Sequence, residues 1–395
     1  MKQYKLIKNT SFISTVYNEE KSLPDFLKSF FEQDYLPDEM IIVDGGSKDN
    51  TLNILKDFFL SKLEKNNNLK VFKENEKNLK LNSQEDISII DIFYIKFFKP
   101  SGPDGVKDNI KGDINDDNKI TVKIFQKINA GISEGRNIAI RNAQNEIICA
   151  SDAGCIFDKN WTYEITKFLF LSENEINKFD NSIIQESYDV VGGYSKSIEV
   201  SFMEKVLSMC IMPQLKEIKP QKFMPSSRNI SYKKSAWEKV GGYPENLDFG
   251  EDMKFNFNLK NNGYFIKFNP DAVVFWRMRE NIVQVFKQFF RYSKGDAKGK
   301  MYLYRHFIRF LSFVVFIVIL LISIIFSPWF LTIYILFFSY YVYKPFSRLN
   351  VTFKHHKNKT ARLFLKISAL IVAPLMLIYI DIAKMAGFIY GLIKK

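Results

Sequence analysis

Ile42-Val43-Asp44-Gly45-Gly46-Ser47-Lys48-Asp49-Asn50-Thr51 is the stretch on which the fold turns. Met40 to Val43 is short, apolar and partly β-branched, as a strand buried on both faces requires. The run stops on an acid, turns through two glycines and opens Thr51 to Lys65, whose apolar spacing predicts an amphipathic helix with Asn50 or Asp49 as N-cap. Open α/β sheets bind ligands at such strand ends: a carboxylate can accept hydrogen bonds from a ribose or a base, and glycines let the backbone come close. Taken alone, the turn also fits a plain strand-to-helix connection.

The same rhythm extends outward. Leu6 to Val16 reads as a strand, and Leu23 to Gln33 as a helix with Leu23, Phe26, Leu27, Phe30 and Phe31 on one face. Further on come a strand at Thr121 to Phe125, a helix at Ser133 to Ala143, a strand at Glu146 to Ala150 and a helix at Trp161 to Leu171. A strand near Asp189 to Gly192 precedes a variable middle. Helices at Ser235 to Val240 and Glu251 to Asn261 and a strand at Ala272 to Trp276 close the series. This order predicts an α/β domain over 1–280: a mainly parallel twisted sheet with helices on both faces. Residues 74–120 break the rhythm, being rich in Asn, Asp, Lys and Gly with one apolar patch at Ile87 to Phe98, and read as an edge insertion, partly flexible. Within it Asp113, Asn115 and Asp117 have the spacing of the first ligands of a calcium loop. Asn118 and Ile124 stand where that loop needs Gly and Glu, so a polar turn is the better reading.

From Phe307 the chain changes character. Phe307 to Phe326 is a 20-residue apolar run with only Arg309 charged, about 30 Å as a helix, enough to cross a bilayer. Ser327-Pro328 breaks it, and Trp329 to Tyr343 returns as a shorter span. Lys344 to Arg362 then carries six Lys or Arg and no acid, and Leu363 to Ile380 is a third apolar segment before Asp381 and Lys384. The sequence therefore predicts an interfacial helix region at 281–306 and an all-α membrane segment at 307–395 with two to three hydrophobic helices. The net charge of +13 supports this: residues 281–395 hold 17 Lys or Arg against Asp296 and Asp381, which leaves 1–280 slightly acidic. Positive charge flanking apolar helices points to anionic membrane lipids, not nucleic acid. Both ends of the apolar hairpin are expected on the cytosolic side. Met1 to Thr10 shows no signal peptide, so the predicted location is the cell membrane, multi-pass, with a cytoplasmic N-terminal domain.

Three cysteines (Cys149, Cys155, Cys210) are too few and too irregular for a disulfide framework or zinc knuckle. The three histidines are His306, His355 and His356, so any general base in the N-terminal domain is a carboxylate before it is a Lys, Tyr or Cys. Two further clusters fall at predicted strand ends or helix starts. Asn129-Ala130-Gly131-Ile132-Ser133-Glu134-Gly135-Arg136-Asn137 offers Gly and Arg at a helix start, suited to anionic oxygens. Cys149-Ala150-Ser151-Asp152-Ala153-Gly154-Cys155 puts an acid past an apolar strand.

Together with Ser14-Thr15-Val16-Tyr17-Asn18-Glu19-Glu20, these clusters in this order resemble glycosyltransferase family 2, inverting enzymes of the GT-A fold that use nucleotide-activated sugars. Downstream, Pro225-Ser226-Ser227-Arg228-Asn229 and Trp237 through Gly241-Gly242-Tyr243-Pro244 resemble the family's acceptor-side segment. Gly250-Glu251-Asp252 resembles its Glu-Asp catalytic motif, and Gln288-Phe289-Phe290-Arg291-Tyr292 the Gln-x-x-Arg-Trp motif of membrane synthases, with Tyr for Trp. The resemblance spans about residues 10–300, less the insertion.

It implies that Thr15, Tyr17, Glu19, Asp44, Gly131, Arg136 and Asp152 serve the nucleotide sugar, with Asp152 beside the diphosphate and any Mg²⁺ or Mn²⁺. It implies Asp252, next to Glu251, as the base that takes a proton from the acceptor hydroxyl, and Arg228, Gln288, Arg291 and Tyr292 on the acceptor or diphosphate side. The acceptor implied is lipid-linked or a glycan. The usual Asp-x-Asp is here Asp152-Ala153-Gly154, so the second acid, normally a metal ligand, is missing. Other readings stay open: Asp252 as an ordinary helix-start acid, Arg291 and Tyr292 as interfacial anchors, the whole as a processive polysaccharide synthase, or as a non-catalytic nucleotide-sugar-binding scaffold.

Overall fold

The computed structural model describes residues 5–62, 69–73, 87–97, 119–169, 188–354 and 358–394. Asp113, Asn115, Asp117, His355 and His356 lie outside them. The chain divides into two compact units. The first comprises Met1–Lys196, Lys219–Asp248 and Asp252–Trp276; the second comprises Ser197–Ile218, Phe249–Glu251 and Arg277–Lys395.

The first unit is built on a mixed sheet. Its strands are β1 (Lys5–Val16), β2 (Tyr35–Asp44), β3 (Leu69–Lys73), β4 (Ser88–Phe97), β5 (Lys119–Gln126), β6 (Ile147–Ala150), β7 (Cys155–Phe157), β8 (Val190–Ile198), β9 (Ile230–Lys233) and β10 (Ile266–Arg277). Their order is β3-β4-β5-β2-β1-β6-β9-β8-β10-β7. The centre, β5-β2-β1-β6, is parallel. Antiparallel pairs flank it, β3-β4-β5 on one side and β6-β9-β8 on the other. The predicted parallel sheet is thus the middle of a wider mixed one. The apolar patch inside the expected insertion is the ten-residue strand β4, which sits next to the sheet edge as β5's antiparallel neighbour.

Alternation along β1 sends side chains to opposite faces and gives each its own core. Phe12 packs under α1 (Leu23–Phe31) and α4 (Trp161–Thr166), its ring 4.5 Å from Phe30 and 6.0 Å from Trp161. Ile13 packs on the other face with Ile138 to Ile140 of α3 (Ile132–Arg141), Trp237 of α6 (Lys234–Lys239) and Phe255 of α7 (Glu251–Asn261). Helices cover both faces, as the alternating order predicted. Each fully buried Phe stabilises by roughly 1.5–3 kcal/mol. The helix expected over Thr51 to Lys65 is α2 (Thr51–Asp57) followed by a π turn at Phe58–Lys62. Asp49 accepts from the Thr51 N–H at its start (3.1 Å).

The second unit is helical: α5 (Phe202–Ile211), α8 (Ile282–Lys298), α9 (Leu303–Ile325), α10 (Leu331–Thr352) and α11 (Lys359–Ile393). Two of these, α9 and α11, are long and apolar enough to cross a membrane, with mean hydropathies of 3.0 and 2.3. Ser327-Pro328 ends α9, as read from the sequence. The third apolar segment is part of the 35-residue α11, which runs through Asp381 and Lys384 without a break. It can do so because Asp381 is paired: Arg309 Nε and the Tyr341 hydroxyl both donate to it at 2.8 Å. Helix α5, in what the sequence left as a variable middle, packs with α10 and α11; Phe202 faces Phe353, and the Cys210 thiol meets the Ala373 carbonyl.

Candidate active site

In the first unit, Val16 pairs with Asp44 across β1 and β2, so the loops after these strands start side by side. They are then laced together. The Asn18 N–H donates to Ser47 Oγ (2.9 Å), the Lys48 N–H to Asn18 Oδ1 (2.8 Å) and the Glu19 N–H to Thr51 Oγ1 (2.8 Å). Asp44 has no exposed surface. Its carboxylate accepts from the N–H groups of Gly46 (3.0 Å) and Ser47 (3.0 Å), the Ser47 hydroxyl (2.5 Å) and Gln126 Nε2 (2.8 Å). This is the chemistry of a turn-shaping acid, and contact with a nucleotide requires one of these partners to yield.

Gly46 sits at φ +88°, where a side chain would be strained, and a Cβ there would lie 3.2 Å from Ile128 Cα. Tyr17 is 56% exposed at this edge. Thr15 is half-buried against Gly135, and Glu19 accepts from the Ser22 hydroxyl at the start of α1. Gly131, the exposed N-cap of α3, has open space around its Cβ direction.

A denser cluster lies past β6. Arg136 of α3, only 4% exposed, donates to Asp152 Oδ1 at 2.8 Å. Its guanidinium also lies 5.3 Å from the Tyr243 ring. Arg228 brings its Nε to 3.8 Å from Asp152 Oδ2 and lies over the Trp276 ring at 3.9 Å. Asp152 itself is 34% exposed. The loop carrying Arg228 is held by buried Asn229, which donates to the carbonyls of Tyr194 (3.0 Å) and Ala272 (2.9 Å) and accepts from Trp161 Nε1 (2.8 Å).

Asp252 begins the helix that reaches the same loop. It lies at the start of α7, half-buried, its Oδ1 accepting from the Met253 N–H (2.7 Å). Four residues on, and so on the same helix face, Asn256 donates to the Pro225 carbonyl at 2.6 Å. Tyr243 joins these pieces: its hydroxyl meets Ser227 Oγ (2.9 Å) and its ring stacks on Phe255 at 4.2 Å. Burial pushes the Tyr243 hydroxyl's pKa up, the Arg136 charge opposes this, and the Asp252 carboxylate adds to the rise. Asp152, Arg136, Arg228 and Asp252 therefore share one neighbourhood of the first unit.

Sequence reasoning quoted Tyr243 and Asn137 without giving either a role. Buried Asn137 accepts from the Tyr243 N–H (2.9 Å) and Trp237 Nε1 (3.1 Å) and donates to the Tyr243 carbonyl (2.8 Å) and Glu245 (2.7 Å). Its place one residue after Arg136 was the available signal.

The remaining candidates belong to the second unit. Buried Gln288 of α8 donates to the Tyr292 hydroxyl (2.9 Å), and its Oε1 is 3.4 Å from Arg279 Nε. An indole is a donor only, so Tyr in place of Trp supplies an acceptor that Trp lacks. Arg291 lies 5.2 Å from the Phe249 ring. Glu251 is buried, behind Gly250 at φ +76°. Gly295 of α8 abuts this turn: a Cβ there would be 2.0 Å from the Phe249 carbonyl oxygen.

A two-acid metal site does not fit the residues present. Among the described residues no three of His, Cys, Asp or Glu gather as a metal-binding group. Asp152 already faces two guanidinium groups, and the Gly154 Cβ direction opens on nothing within 4 Å. Thiol chemistry is equally unsupported. Burial pushes the Cys149 thiol up, and pushes Cys155 to about 12, so neither is a nucleophile at neutral pH.

Acids and arginines gathered where parallel strands end, on a mixed sheet covered by helices, fit an α/β enzyme that binds its ligand at the strand ends. The chain belongs to glycosyl transferase family group 2, whose profile matches residues 174–383, more than half of its length, and residues 11–83 match glycosyl transferase family 2.

Among solved structures it is similar to S. aureus TarS 1–349, at 17% identity over 73% of this chain and 64% of that one, TM-score 0.41. The same TarS fragment in complex with UDP-GlcNAc matches at 17% identity over 97% of this chain and 90% of that one, TM-score 0.41. The mannosyltransferase PcManGT from Pyrobaculum calidifontis, in complex with GDP-Man and Mn²⁺, matches at 14% identity over 98% and 88%, TM-score 0.49. The chain thus spans less than two thirds of the first of these structures. No curated protein matches the chain.

Proposed function

We propose that the protein is a membrane-anchored inverting glycosyltransferase that moves a sugar from a nucleotide-sugar donor to a membrane-associated acceptor. The observation that carries this reading is the Asp152–Arg136 pair, linked through Tyr243 to Asp252. Guanidinium groups suit a diphosphate, and a half-buried carboxylate nearby suits proton removal. In the proposed step the acceptor oxygen attacks the anomeric carbon from the face opposite the diphosphate. The bond from that carbon to the diphosphate oxygen breaks, the electron pair leaves with the nucleoside diphosphate, and Asp252 takes the acceptor proton. One displacement inverts the stereochemistry.

Asp44 acts here by holding the Gly46–Ser47 turn, and Thr15, Tyr17, Glu19 and Gly131 form the surrounding donor wall. By the family resemblance, Glu251 belongs with Asp252 to the catalytic motif. The Mg²⁺ or Mn²⁺ that the family resemblance implies enters no step, because one arginine-bound carboxylate is a poor donor set for it.

Anchoring rests on α9 and α11, and the surplus of Lys and Arg around them supports a catalytic unit on the cytoplasmic face of the cell membrane. A lipid-linked or surface glycan is the acceptor class that such a tether favours. The test is a nucleotide-sugar screen of the detergent-purified full chain for nucleoside diphosphate release. Asp252→Asn should lower turnover by at least about 10²-fold while sparing nucleotide binding. Undiminished turnover by that variant removes Asp252 from its role.

A further inference from the structure

We infer that Arg136 and Arg228 together form a diphosphate-binding site that takes the place of a divalent cation, with Asp152 serving to hold the two guanidinium groups. This rests on the nucleotide-sugar reading above and goes beyond it by naming what neutralises the donor.

Three features of the first unit carry the inference. The first is the electrostatic balance at Asp152. One carboxylate faces two permanent cations, Arg136 at 2.8 Å and Arg228 at 3.8 Å, so Asp152 alone cannot neutralise both. The second is rigidity. Arg228 lies over the Trp276 ring at 3.9 Å, and Arg136 is buried between Asp152 and the Tyr243 ring. A guanidinium fixed in this way offers a planar fork that matches phosphate oxygens without first being ordered. The third is the position two residues after Asp152. Gly154 contributes no ligand there, and its Cβ direction is open. A cation at Asp152 would compete with two guanidinium groups for one carboxylate, whereas a diphosphate adds anionic oxygens to the same cations.

The consequence for the reaction is direct. As the bond between the anomeric carbon and the diphosphate breaks, the electron pair settles on the departing phosphate oxygen. The two guanidinium groups stabilise the charge that develops there, a task otherwise given to a metal ion.

The test is isothermal titration of the full chain in detergent with UDP and with GDP, once in EDTA and once in MnCl₂. The expected dissociation constant of whichever nucleotide binds is the same within about threefold in the two conditions. Arg228→Gln should weaken it at least about tenfold in both, and Arg228→Lys, which keeps the charge but loses the flat fork on Trp276, should fall between. Gly154→Asp restores a second acid in open space and should make binding respond to Mn²⁺. Binding by the wild type only when Mn²⁺ is present overturns the inference and leaves the transferase reading intact. So does wild-type affinity in a folded Arg228→Gln protein. Failure of both nucleotides to bind in either condition overturns the inference by removing the nucleotide-sugar reading beneath it.

Discussion

Replacing Asn137 by Ala should loosen the segment that carries Tyr243. Asn137 is 4% exposed and serves four partners with one amide group. Its loss leaves the Tyr243 N–H, the Tyr243 carbonyl and Trp237 Nε1 without that partner in a buried setting. Glu245 is half exposed and can turn to water. Each buried orphan costs about 1–3 kcal/mol; at the low end, allowing for a water entering the vacated space, the three come to about 3 kcal/mol. For a domain of this size that lowers the melting temperature by about 6–12 °C.

The assay is a thermal scan of the purified full chain in detergent, followed by tryptophan fluorescence. Arg141→Ala is the control, because the Arg141–Glu245 pair at 3.9 Å is solvent-exposed on both sides and contributes at most about 1 kcal/mol. An Asn137→Ala protein melting within about 2 °C of wild type would refute the reasoning, as would an equal loss in the control.

Two further outcomes are expected. Asp381→Asn should cost up to about 3 kcal/mol, because it takes the charged partner from Arg309 and leaves it only His306 Nδ1 at 3.1 Å, while the double change of Arg309 and Asp381 to Leu recovers most of the loss in a detergent melt; equal stability of single and double variants counts against a paired charge. Glu204 titrates below its ordinary value of 4.5: burial alone would raise it, but the Ser201 and Val200 N–H groups, the Ser201 hydroxyl and Arg277 outweigh that. With the folded value depressed, its contribution is fully present above pH 4.5 and is lost as pH falls through the folded value. In melting scans run downward from pH 6, wild type and Glu204→Gln should therefore draw together below pH 4.5, and parallel curves would exclude this linkage.

Much of the central sheet could be read from residue order because its strands are buried on both faces. Runs such as Ile147-Ile148-Cys149-Ala150 leave few alternatives to a covered parallel strand. The same logic missed β4 as a strand, since its polar surroundings looked like an insertion, and missed α5, whose apolar side is explained only by the helices it meets. The acids at strand ends were visible one at a time. What each of them holds was not: Asp44 and Asp152 look alike in sequence, yet one shapes a buried turn and the other faces two arginines.

The chain's own chemistry determined, without coordinates, an α/β domain followed by apolar helices and an N-terminal domain free of imidazole. Hydrophobic periodicity and residue type are local properties, so they survive being read one segment at a time. Tertiary structure alone decided that Arg136, Asp152, Arg228 and Tyr243 meet, because ion pairing and ring contact depend on distances of a few ångströms between segments far apart in the chain. It also decided that Asp381 can lie within a continuous apolar helix, since only the fold brings Arg309 and Tyr341 to it.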